Sequence, residues 1–222
     1  MTTDSNTRLP RWGGITEPMT VLTNVVLAGV AFVLGIRLSY NAAAEAVGSA
    51  GALGLGFLAT ALAATLGAAA HGLDPVSDRF QRDRCWKGAL YVTGCAGAAM
   101  AASVAYFAAT GRVRTVILVA VGVKLAAYWV RVARLPAFRV AAIDYGVALV
   151  ILLAGASYAM TRWRAPASPW IIGGVLVSVV AGLVQARRLG FHRQFNHNDL
   201  FHLIQIVAVY LFYRGGVLLV DR

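Results

Sequence analysis

Acidic side chains are scarce in this sequence. Nine Asp and Glu stand against twenty Lys and Arg, and charged residues of both signs make up only 13% of 222. With 59% apolar residues and a mean hydropathy of +0.69, a soluble domain of this length is excluded, because it could not hide so much apolar surface. Cysteine is almost missing. Cys85 and Cys95 are too few for a disulfide framework, and Cys95 is expected inside a helix. No apolar run alternates with a period of two, and each is longer than a barrel strand, which excludes a membrane β-barrel. A short apolar segment of the signal-peptide kind is also missing. The first sixteen residues are polar and the first apolar run is too long, so no cleavable signal peptide is expected. Linkers, a second domain and internal repeats are not visible either.

What remains is one integral membrane domain, residues 1–222. Seven runs are long enough to span about 30 Å of hydrocarbon as helices. They cover residues 18–40, 47–71, 86–110, 113–132, 139–160, 170–186 and 199–220. The expected fold is all-α, a seven-transmembrane helix bundle of sequential antiparallel neighbours. The second and third runs are rich in Ala and Gly, which lets helix backbones approach closely. Trp12, Trp86, Trp129, Trp163 and Trp170 fall near the ends of runs, as an interfacial aromatic belt requires.

The net charge of +11 does not point to nucleic acid, because the basic residues lie almost entirely between the apolar runs, as topology determinants do. One side collects Arg8, Arg11, Arg79, Arg82, Arg84, Lys87, Arg131, Arg134, Arg139, Arg187, Arg188 and Arg193. The other collects Arg37, Arg112, Arg114, Arg162, Arg164, Arg214 and Arg222. The asymmetry predicts a multi-pass protein of the cell (inner) membrane, N-terminus cytoplasmic and C-terminus extracytoplasmic.

The polar residues concentrate at Phe195-Asn196-His197-Asn198-Asp199-Leu200-Phe201-His202, which leads into the last run. Ionisable groups at membrane depth are costly, and a functional site is their default reading. The plain structural reading is that Asn196 or Asn198 caps the seventh helix and Asp199 favours its positive end. Capping leaves His202 and Gln205 unexplained. Asn198, His202 and Gln205 share one stripe of a helix, whereas His197 and His202 lie about 140° apart around it. With seven spans, His71 closes the second helix on the side where His202 opens the seventh. Glu17 and Asn24 of the first helix share that depth, and with Asn198 and Gln205 they are the candidate pocket residues.

Two constellations carry chemistry. His71 and His202, with His197 or a water or acid, could hold zinc, which in catalytic sites takes about three protein ligands and keeps one position open. Gln205, Asn24, Asn198 and Asp199 could orient the rings. The alternative is an interfacial His71 and a hydrogen-bonded His202. The second constellation is Lys124 with Asp144, expected on antiparallel neighbouring helices. A neutralising buried pair explains two charges in hydrocarbon; a proton or substrate relay of a transporter, or a lysine snorkelling to the interface or facing the first site, are the alternatives. The segment from Gly72 to Arg84 mixes Asp74, Asp78 and Asp83 with Arg79, Arg82 and Arg84 and reads as a solvated loop. Within it, Asp74 is close enough in sequence to serve His71 as partner or ligand.

The segment Glu17-Pro-Met-Thr-Val-Leu-Thr-Asn24-Val, His71 at the end of the second helix, and Asn198-Asp-Leu-Phe-His202 together resemble the alkaline ceramidases. That seven-helix superfamily also includes the progestin and adiponectin receptors. The resemblance implies a zinc site near one membrane face and hydrolysis of sphingolipid-like amides, with membrane lipid as the partner. The chain departs from the pattern at Asn198, where the family has a histidine unless His197 replaces it, and at Gly67, where it has a serine. The family's acid at the start of the third helix has no clear counterpart at Trp86-Lys87-Gly88. The expected function is therefore a zinc-dependent lipid amide hydrolase, with Asp74 and Asp199 as candidate catalytic carboxylates. A non-enzymatic receptor or lipid-binding relative without the metal, and a transporter using Lys124 and Asp144, are the alternatives.

Overall fold

The computed structural model describes residues 11–192 and 194–222. Arg8 and Arg193, two of the topology determinants, lie outside the described residues. The described residues form a two-stranded hairpin and seven helices. The strands are β1 (Arg11–Trp12) and β2 (Ile15–Thr16); the helices are α1 (Pro18–Glu45), α2 (Gly48–Gly72), α3 (Arg79–Ala108), α4 (Gly111–Arg134), α5 (Phe138–Trp163), α6 (Ser168–Arg187) and α7 (His197–Gly216). Among the described residues, six helices are long and apolar enough to cross a membrane. The protein is a multi-pass membrane protein. The seventh helix falls short of the others in hydropathy because it carries Asn198, Asp199, His202, Gln205 and Arg214.

Several boundaries differ from the sequence reading. The first helix runs on to Glu45 and ends on Ala46, whose left-handed backbone (φ 54°) forms the C-cap. The third helix starts at Arg79, so Asp83 is helical and stands 3.9 Å from Arg79, one turn away, where a solvated loop was expected. Gly72 is the last residue of α2, and only Leu73–Asp78 separate the two helices. The seventh helix starts at His197. Its cap is Asn196, whose side chain accepts from the Asn198 N–H at 2.7 Å, while Asp199 accepts from the Asn196 N–H at 2.7 Å. This reciprocal arrangement satisfies two backbone donors and places a carboxylate at the positive end of the helix.

The helices do not pack strictly in sequence. A ring closes through α1, α2, α3, α5, α6 and α7, with α7 returning to α1. The fourth helix stands outside it, packed on α3 and touching α5 more lightly. The main core draws Leu27 and Leu38 from α1, Leu53 and Phe57 from α2, Met100 from α3, Leu152 from α5, Ile171 from α6 and Phe212 from α7. Helix α4 contributes nothing to it and buries only Val121, Tyr128 and Val132. Without a hydrophobic force between helices in lipid, close approach depends on small residues. Helix α2 buries Gly54, Gly56, Ala61, Ala64, Gly67 and Ala68 against its neighbours. Tyr128 anchors α4 by lying over Gly94 of α3 and donating its hydroxyl to the Leu90 carbonyl at 2.6 Å.

Candidate functional site

The polar residues of α1, α2 and α7 gather at the end of the bundle where α1 and α7 begin and α2 ends. The hairpin leads into it. Thr16 is buried, and Glu17 follows with a left-handed backbone, φ 49° and ψ 55°. A non-glycine residue costs of order 1 kcal/mol in that region, and such strain clusters at functional sites. The conformation turns the chain into Pro18 at the start of α1 while the Glu17 carboxylate meets His71 Nδ1 at 3.1 Å. His71 also lies edge-on to Trp86, ring centroids 6.4 Å apart.

The second group joins α1 to α7. Thr23 Oγ1 stands 3.0 Å from His202 Nδ1 and 3.4 Å from Asp199 Oδ1. Asp199 is fully buried and His202 nearly so. Two further pairs join α7 to α6: Gln185 Nε2 donates to Asn198 Oδ1 at 2.8 Å, and Ser178 Oγ donates to Gln205 Oε1 at 3.2 Å. Asn24 donates to the Thr20 carbonyl at 3.0 Å inside α1, and its Oδ1 would be 3.1 Å from a Cβ at residue 67. The amide of α1 thus fills the space that a side chain at Gly67 would take.

Asp74 is engaged elsewhere. It pairs with Arg11 of the hairpin and accepts from the N–H groups of Val76 and Ser77 at 2.8 and 3.1 Å. Those two backbone donors, with the Arg11 guanidinium, hold its carboxyl below the usual range. Lys124 and Asp144 form their own pair, Nζ donating to Oδ1 at 2.7 Å, between the outlying α4 and the ring. His197 opens α7, about 140° around the helix from His202.

These positions test the zinc expectation by donor chemistry. The candidate ligands divide into a Glu17–His71 pair and an Asp199–His202 pair bridged by Thr23. Among the described residues, no three of His, Cys, Asp and Glu surround one point closely enough to hold a metal ion. Asn198, the position of the absent family histidine, is an amide tied to Gln185. The set does not fit a three-ligand zinc centre.

The bridging Thr23, and the α6 partners Ser178 and Gln185, escaped the sequence reading. One Thr beside Asn24, a Ser and a Gln in apolar runs carry no spacing signal. Their meaning appears only once α6 and α1 flank α7.

The fold and this cluster define a class: a seven-helix membrane bundle whose last helix carries a polar stripe turned into the interior. Residues 19–220 match a family described as a family of unknown function (DUF6962), and the chain belongs to it. No curated protein and no solved structure matches the chain.

Proposed function

We propose that this protein is a lipid-binding member of the seven-helix type, working without a metal, in which Glu17 and His71 recognise the polar part of a membrane lipid. The observation that carries this reading is the way the polar groups are spent. The cluster residues of α7 are consumed by Thr23, Gln185, Ser178 and the helix cap. Glu17 and His71 retain 13% and 20% side-chain exposure at the end of the bundle. A carboxylate accepts and an imidazole donates or accepts, so the pair suits a hydroxyl or amide of a lipid headgroup, with Trp86 beside it. The ceramidase resemblance supports an amide-bearing lipid.

The hydrolase reading keeps one favourable observation. Both imidazoles are held through Nδ1, by Glu17 and Thr23, and among the described residues Nε2 of each has no hydrogen bond, in the manner of ligands oriented by an outer partner. Elemental analysis of purified protein separates the two. Little zinc, together with photo-crosslinking of a ceramide analogue that Glu17→Gln and His71→Ala both weaken, is the expected result. About one zinc per chain returns the hydrolase.

The arginine asymmetry supports an inner-membrane orientation with this site on the cytoplasmic side. A reporter fused before Thr2 is expected in the cytoplasm and one fused after Arg222 outside. Both reporters on one side would remove the orientation.

A further inference from the structure

At the opposite end of the bundle, a cavity of about 140 Å³ lies where α5 ends, α6 begins and the last residues return. Its floor is apolar: Phe107, Ala159, Ile171 and Leu219. Its rim is polar and positive. The Arg222 guanidinium lines it and stacks 4.5 Å over the Trp163 ring. Ser168 also lines it and is 1% exposed. Ser168 opens α6, so the positive end of that helix faces the same space.

The wall is held in place before any ligand arrives. Asp221 accepts from the N–H groups of Gly48 and Ser49 at the start of α2, at 2.7 and 3.0 Å. The Arg222 N–H donates to the Tyr106 carbonyl at 3.0 Å, and Arg114 donates to the Arg222 carbonyl. The Asp221 carboxylate is thereby used as a helix cap, and the Arg222 guanidinium stays on the Trp163 ring at the cavity.

We propose that this cavity binds a single-chain anionic amphiphile drawn from the bilayer, a fatty acid whose carboxylate meets Arg222 and Ser168 and whose chain lies along Phe107, Ile171 and Leu219. The volume holds only the first few methylenes, and the remainder of the chain continues into lipid. A neutral amphiphile of the same length would fill the floor and leave Arg222 and Ser168 without an anion. This site is independent of the Glu17–His71 reading and stands if that reading fails.

The test uses the full chain in nanodiscs of phosphatidylcholine and a diazirine analogue of palmitic acid. Cross-links are expected on residues 165–171 and 218–222, suppressed by excess palmitate. The matching diazirine alcohol should label these peptides about tenfold less, the equivalent of about 1.4 kcal/mol. Arg222→Gln, outside every helix, should lower acid labelling towards the level of the alcohol, and Ala165→Trp should block it by filling the rim. Equal labelling by acid and alcohol, acid labelling unchanged in Arg222→Gln, or label spread evenly over the lipid-facing helices would overturn the proposal.

Discussion

Helices α4 and α7 invert what hydropathy alone would suggest. Helix α4 is strongly apolar, yet only 17% of its most apolar window is buried, and Val113, Val116, Val119 and Val123 are all exposed to the surroundings. Helix α7 is the one of the seven described helices that lacks a long apolar window, and its Asp199, His202 and Gln205 are buried. In lipid, apolar side chains are content on the outside, and polar ones must find partners in the interior. The polar residues therefore mark the helix that belongs inside, and the unbroken valines mark the one that stands apart. The charge in the middle of α4, Lys124, sits on the face that meets the ring.

The largest expected effect breaks the tie of α4 to that ring. Lys124→Met alone should destabilise by about 3–5 kcal/mol, because it leaves the buried Asp144 carboxylate unpaired. Pairing it with Asp144→Leu should recover much of the loss. Reversible unfolding in detergent measures both. Additive losses would mean that the two residues act independently.

A smaller effect contrasts glycines on the two helices' surroundings. A Cβ at Gly174 of α6 would fall 2.6 Å from the Phe212 ring of α7, whereas one at Gly122 of α4 meets nothing within 4 Å. Gly174→Ala should cost about 1–3 kcal/mol through overpacking. Gly122→Ala should be neutral or stabilising by up to about 1 kcal/mol from helix propensity. Equal melting shifts for the two variants would contradict the placement of α4 outside the ring.

Next comes the cap of α7. Asn196→Ala should cost about 1 kcal/mol. Hydrogen exchange should quicken in the first turn of α7 and remain unchanged in α4.

The smallest effect is a pH dependence at the histidine end. The Asp74 carboxyl is held low by backbone N–H groups and Arg11, so its contribution is present above the ordinary carboxylate range near 4 and is lost as pH falls below it. Exchange protection at residues 74–78 should persist at pH 5 and fall only in stronger acid. Asp74→Asn should abolish that dependence.

The sequence by itself determined the class, the helix count and the shared depth of His71 and His202. These follow from local quantities: the length of apolar runs, the hydrocarbon thickness and the parity of crossings. The Asn196–Asp199 cap was legible as one of two options because capping is local as well. Pairing was another matter. Asp74 lies three residues after His71, yet it pairs with Arg11, and it is Glu17, 54 positions away, that meets His71. The extra turns of α3 took Asp83 out of the loop, since Arg79 and Asp83 are as compatible with a helix as with a solvated segment. Which helices become neighbours was decided by the tertiary structure alone. Strict sequential packing would set α4 between α3 and α5; small residues and Tyr128 over Gly94 allow α3 to reach α5 directly and leave α4 outside. That choice, invisible to any local pattern, puts Ser178 and Gln185 on one flank of α7 and Thr23 on the other. Their hydrogen bonds then decide which polar groups are consumed by the fold and which remain to meet a ligand.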